Sequence, residues 1–187
     1  MSWTAFHSRG ETLHAVVDTA NTRCDGVLPM QVPGVAENFT DEIDLVGALL
    51  LKWHARLSGN IERALMREPL NLEQAVATAW RTTAEQMPGV RLVIDRCILA
   101  PPTPEMATAM DRARVREWTR LAAAAGLAND QGAAAVEAGR RVEDLAREGR
   151  ETTETPERPT AEAQGDAAPD DTPTESFVDR IKAVLAA

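Results

Sequence analysis

Tyrosine is absent from the 187 residues, histidine occurs three times and cysteine twice, and only Lys52 and Lys182 among the 20 basic residues are lysines. These scarcities close off whole classes of function. Cys24 and Cys97 stand far apart with no C-x-x-C or other paired spacing. Neither a disulfide framework nor a zinc ribbon is indicated, and both cysteines read as small buried apolar residues. No apolar run approaches the roughly 18 residues needed to cross a bilayer. The opening MSWTAFHSRGE has neither a basic n-region nor an apolar h-region. The expectation is a cytoplasmic protein. The shortage of lysine beside abundant alanine points to a GC-rich genome, which concerns ancestry and not mechanism.

Alternating runs of β-branched and aromatic residues are missing as well, whereas helix start signals recur wherever an apolar helical pattern begins. The reading is all-α. Residues 1–148 make a bundle core of five or six helices, residues 149–173 a disordered acidic linker, and residues 174–187 a short C-terminal amphipathic helix. No repeat at solenoid period is present.

Within the core, Ser8-x-x-Glu11 opens a first helix with Leu13, Val16, Val17 and Ala20 on one face, ending near Asp25-Gly26. Thr40 is placed as N-cap of the strongest element, Asp41 to Arg67. Its stripe of Ile43, Val46, Leu49, Leu50, Trp53, Leu57, Ile61, Ala64 and Leu65 is wide enough to need partners on more than one side. Asn71-x-x-Gln74 caps a third helix carrying Leu72, Ala75, Val76, Ala79 and Trp80, with Pro88-Gly89 as its terminator. Val90 to Leu99 reads as a buried helix or, failing that, a single strand. Thr103-Pro104 starts a helix with Met106, Met110, Ala113, Trp118 and Leu121 that closes near Gly126. A last core helix follows Asn129 or Asp130, uses Ala133, Val136, Val142 and Leu145, and closes at Gly149.

The segment from Asp25 to Phe39 lacks periodicity yet is apolar, with Val27, Leu28, Met30, Val32, Val35 and Phe39. Such a segment either closes one end of the bundle, the preferred reading, or contributes Leu28, Met30 and Phe39 to a partner surface.

Candidate chemistry is sparse. His7, His14 and His54 lie in no Glu-x-x-His motif, and His54 has no ligand partner at i+3 or i+4. It reads as a structural or surface histidine, and no metal, cofactor or catalytic residue is assigned. Histidine phosphotransfer modules place a small and a basic residue at fixed offsets after a mid-helix histidine. In His54-Ala55-Arg56-Leu57-Ser58-Gly59 that register is off by one position. G-x-S-x-G, G-x-G-x-x-G and phosphate-cradling glycine loops are absent. The acidic residues Asp41, Glu42, Glu73 and Glu85 sit near helix starts or on polar faces, where capping and solvation account for them.

What the chain does have is a charge pattern and an unusual end. Lys52, Arg56, Arg63 and Arg67 form one basic stripe on the long helix. The preferred reading is a solvated face paired with neighbouring acidic helices; the alternative is a surface over which the acidic linker lies until a partner displaces it. Residues 149–187 carry nine acidic and four basic groups and hold more than half of the net charge of −9. That acidity disfavours nonspecific nucleic-acid and anionic-membrane binding. The stretch GRETTETPERPTAEAQGDAAPDDTP has no Leu, Ile, Val, Met or aromatic residue and offsets none of its ordering entropy. Thr152, Thr153 and Thr155 within it are candidate phosphorylation sites.

Thr172-Pro173-Thr174-Glu175 then supplies a capping box, and Phe177, Val178, Ile181, Val184 and Leu185 follow at helical spacing. A helix of about thirteen residues is marginal in water until it docks. The functional expectation is therefore a non-enzymatic interaction or regulatory protein that binds a protein partner through this tethered helix. A small helical enzyme or metal-binding bundle with a site drawn from distant residues is the alternative, and homo-oligomerisation through the same face stays open.

Overall fold

Helix α3 (Glu42–Arg67) runs through the centre of the molecule, and α1 (Trp3–Arg23), α4 (Leu72–Gln86), α5 (Pro88–Leu99) and α6 (Pro104–Ala124) all pack against it. The computed structural model describes residues 3–130 and 132–154. These belong to one compact unit completed by the one-turn α2 (Val35–Asn38) and by α7 (Ala133–Glu154), which lies on α4 and α6. Every regular element among the described residues is helical, and no described helix is long and apolar enough to cross a membrane.

The wide stripe on α3 does what its width requires. Leu45, Val46, Leu49, Trp53, Leu57 and Ile61 are buried in one continuous core with Val76 and Trp80 of α4, Val93 and Ile94 of α5, and Met106, Met110 and Leu121 of α6. Its N-cap is Asp41 and not Thr40. The Asp44 N–H donates to Asp41 Oδ1 at 2.8 Å and the Thr40 N–H donates to Asp44 Oδ2 at 3.1 Å, a reciprocal pair that a threonine cap one residue earlier would not form. The caps expected at Asn71 and Thr103 are present, accepting from the N–H groups of Gln74 and Met106.

Four boundaries and registers differ from the sequence reading. Helix α1 already covers Trp3, so Ser8 lies inside it, where its hydroxyl accepts from Asn38 Nδ2 at 3.1 Å instead of capping a helix start. Pro88-Gly89 opens α5 instead of merely ending α4. Met87 caps both helices without a side-chain bond, and the Gly89 and Val90 N–H groups donate to Asn21 Oδ1 of α1, a cap 68 and 69 residues away in sequence. Helix α7 continues through Gly149 to Glu154, so Thr152 and Thr153 lie in its last turn. Its inner face is Ala135, Ala138, Val142 and Ala146, with Val136 half-buried and Ala133 exposed. Cys97 is buried as expected, whereas Cys24, just past the end of α1 at φ 47°, is exposed.

The aperiodic segment 25–39 packs on its own bundle by running back along α1, so that Gly34 meets Thr12 and Asn38 bonds Ser8 and Thr12. Pro29, Val32, Val35 and Phe39 are buried, and Arg9 of α1 holds the segment's far end by donating to the Asn38 carbonyl and pairing with Asp44 at 2.7 Å. The Arg9 guanidinium also lies 4.2 Å from the Phe39 ring centroid.

Two glycines set helix separations. A Cβ on Gly89 would stand 1.8 Å from the Ala20 carbonyl oxygen, and one on Gly139 would stand 1.8 Å from that of Trp118, so α1–α5 and α6–α7 approach with backbone against backbone. Gly89→Ala and Gly139→Ala are each expected to cost about 2–3 kcal/mol. Gly10→Ala, at an α1 site with nothing within 4 Å, should gain roughly 0.5–1 kcal/mol. Denaturant melts of the three variants check this, and equal stability of all three would contradict the close-crossing account.

Candidate functional site

Position 117 shares the inner face of α6 with Met110 and Leu121, yet it is glutamate, and it is only 6% exposed. A carboxylate there must be fully partnered to stay charged. Trp80 Nε1 donates to Oε1 at 3.0 Å, and Arg91 Nη1 reaches the same oxygen at 3.3 Å. Trp53 Nε1 donates to Oε2 at 3.0 Å, and His54 Nε2 lies 3.1 Å from Oε2, a contact that requires its hydrogen on Nε2 while the carboxylate is ionised. The donors come from α3, α4 and α5, so Glu117 ties α6 to three other helices.

Arg91, 3% exposed, is held between the rings of Trp53 and Trp80, with centroids 5.0 and 5.2 Å from its guanidinium carbon. The two indoles meet edge to face, 5.6 Å apart. Arg91 Nε and Nη2 both donate to Asp95 Oδ1, at 3.0 and 2.6 Å. Arg147 extends the cluster to α7, donating to Asp95 Oδ1 at 2.8 Å and to Glu143 Oε1 at 2.7 Å, while Trp118 Nε1 donates to Glu143 Oε2 at 2.6 Å. Among the described residues no buried side-chain nitrogen or oxygen lacks a partner.

Burial by itself would raise the Glu117 pKa. The His54 hydrogen bond, the charges of Arg91 and His54 and the Trp80 hydrogen bond outweigh it and hold the group down at about 2. Asp95, also opposed by burial, is held below its ordinary value by the charge and hydrogen bonds of Arg91 and Arg147. A carboxylate pinned in its ionised form with both oxygens engaged binds helices together and is poorly placed to take a proton from a substrate. Among the described residues no three His, Cys, Asp or Glu side chains are grouped so as to hold a metal ion.

The outer surfaces of α3 form two clefts. One, about 490 Å³, lies against α1 and contains Lys52, Arg56 and Arg63 of the basic stripe; Arg67 lines a smaller adjoining hollow of about 270 Å³ together with Arg63. The pairing with neighbouring acidic helices expected for this stripe is not formed among the described residues. Arg63 instead donates to Asn60 Oδ1 of its own helix. The other cleft, about 440 Å³, runs between α3 and α6, with Val46, Leu50, Leu51 and Met110 among its apolar lining and Arg112, Arg116 and Arg120 along α6. Leu51 there is 72% exposed.

Of the partner-surface residues expected in the 25–39 segment, Leu28 is half-buried against the core, Phe39 is buried and only Met30 is exposed, so the three do not make one open face. Phe177, Val178, Ile181, Val184 and Leu185 lie outside the described residues, as does Thr155. Sequence reasoning missed Glu117, Arg91, Asp95, Glu143 and Arg147. The available signal was the pair of tryptophans on core faces, whose N–H groups need buried acceptors, combined with a glutamate in register with Met110 and Leu121. Comparison with family models, curated protein sequences and solved structures gives no match for this chain.

Removing one member of the cluster leaves a buried charge without its partner. Glu117→Gln is expected to destabilise the bundle by about 3 kcal/mol or more. Because Glu117 titrates lower when folded than the ordinary 4.5, its contribution is complete above that value and is lost as pH falls toward about 2. Chemical denaturation between pH 7 and pH 2.5 should show a steeper acid loss of stability in the wild type than in Glu117→Gln. Parallel pH profiles would contradict the assignment.

Proposed function

We propose that the protein is a non-enzymatic interaction or regulatory bundle of the cytoplasm, and that it binds a protein partner through its C-terminal segment. In this reading Phe177, Val178, Ile181, Val184 and Leu185 form one face of an amphipathic helix that becomes stable on entering a groove. Residues 155–173 act as the tether that keeps the helix close to the bundle. The observation that carries the proposal lies in the sequence: a stretch without large aliphatic or aromatic residues is followed at once by a capping box and five apolar residues at helical spacing.

The bundle supports the same reading by the use it makes of its polar groups. Glu117, Arg91, Asp95, Glu143 and Arg147 bond to one another and to three tryptophans, which leaves surfaces as the parts able to act. The partner is protein and not nucleic acid or membrane, given an acidic chain and a terminal segment in which Arg180 and Lys182 are balanced by Glu175 and Asp179.

The test compares the full-length protein with a Phe177→Asp, Ile181→Asp double variant in quantitative co-purification from native extract. The expected result is at least a tenfold loss of specifically recovered proteins, with the thermal melt of the bundle unchanged. Recovery of the same proteins in the same amounts would overturn the proposal.

A further inference from the structure

The cleft between α1 and α3 is a collection of hydrogen-bond donors with little to receive them. Lys52, Arg56 and Arg63 are spaced one and then two helical turns apart on α3, a run of about 16 Å along the axis at ~1.5 Å per residue. Among the described residues none of the three has a carboxylate within ion-pair distance. Five other arginines of the bundle, Arg9, Arg23, Arg91, Arg140 and Arg147, each pair with an acidic side chain.

The neutral amides in the lining add to the imbalance. Asn21 uses its Oδ1 to cap α5 and Gln86 uses its Oε1 to accept from Asn60 Nδ2 at 3.2 Å, so each keeps its NH2 group as a donor. The one carboxylate in the lining, Asp18, lies 3.4 Å from His14 Nε2. Three cations and two amide donors therefore share a cleft with one acid, in a chain whose net charge is −9.

We propose that this cleft binds a small molecule carrying two or more phosphoryl groups. Guanidinium groups match the oxygens of a phosphate in pairs, and the spread from Lys52 to Arg63 calls for negative charge at more than one point along the occupant. The volume of about 490 Å³ is that of a small-molecule site. Val17, Ala55 and Met87 give the non-phosphate part an apolar wall. A polynucleotide is disfavoured because the chain as a whole is acidic, with a net charge of −9.

Calorimetric titration of the full-length protein with inorganic triphosphate, in about 0.15 M salt, tests the proposal. The expected result is one-to-one binding that weakens about tenfold in Arg56→Ala or Lys52→Ala and about a hundredfold in the pair. Arg140→Ala, on α7, should leave binding unchanged. The substituted residues are exposed, and circular-dichroism melts verify that the variants fold. Amide NMR shifts on binding should centre on Gly59 and Asn21. Absence of binding at millimolar triphosphate, equal binding by all variants, or binding only of a synthetic acidic peptide with the sequence of residues 151–173 would each overturn the proposal.

Discussion

A carboxylate in the middle of a helical bundle stays charged only if donors replace the water it has lost, and the donors must arrive from several directions. Glu117 meets that condition through Trp53 and His54 of α3, Trp80 of α4 and Arg91 of α5. Arg91 passes the charge balance on to Asp95, and Arg147 then brings in Glu143 and α7. Apolar contacts alone tolerate sliding and rotation of helices, because many packings bury similar area. Hydrogen bonds at about 3 Å do not, since a small rotation of any one helix leaves a buried group unpaired at a cost of about 1–3 kcal/mol or more.

The rest of the architecture is consistent with that fixed layer. Gly89 and Gly139 allow the backbones of α1 and α7 to approach α5 and α6 closely, so the alanine-rich α7 contributes to the core despite few large side chains. With α1 drawn against α5 by the Asn21 cap and α6 held to α3 by Glu117, the two remaining flanks of α3 become clefts of different character. The flank facing α1 collects unpaired cations. The flank facing α6 combines exposed Leu51 with a row of arginines. One helix thus supplies the spine of the core and a wall of both clefts.

Features that depend on neighbours in sequence were legible. The Asn71 and Thr103 caps, the Pro104 start and the stripe on α3 are local, and the all-α class follows from them. Features created by contact between distant segments were not. Asn21 capping α5 cannot be read from the residues around Pro88. On α7 Val142 was placed on the inner face, but Ala133, Val136 and Leu145 were assigned where Ala135, Ala138 and Ala146 are buried, because Gly139 against the Trp118 carbonyl, and Glu143 against the Trp118 indole, decide the helix's rotation. Glu117 was not singled out because its burial is conferred by helices remote in sequence. The basic stripe was visible, but its lack of acidic partners emerged only once α1 was seen opposite it.

The central claim is that the Glu117 carboxylate remains ionised inside the bundle because four side chains donate to it. Its side-chain carboxyl carbon can be followed directly by carbon-13 NMR as a function of pH, with assignment from the Glu117→Gln spectrum. The account predicts a signal that keeps its ionised-form shift through the range where exposed glutamates titrate and moves only as pH approaches about 2. A midpoint at or above 4.5, the ordinary glutamate value, would contradict it.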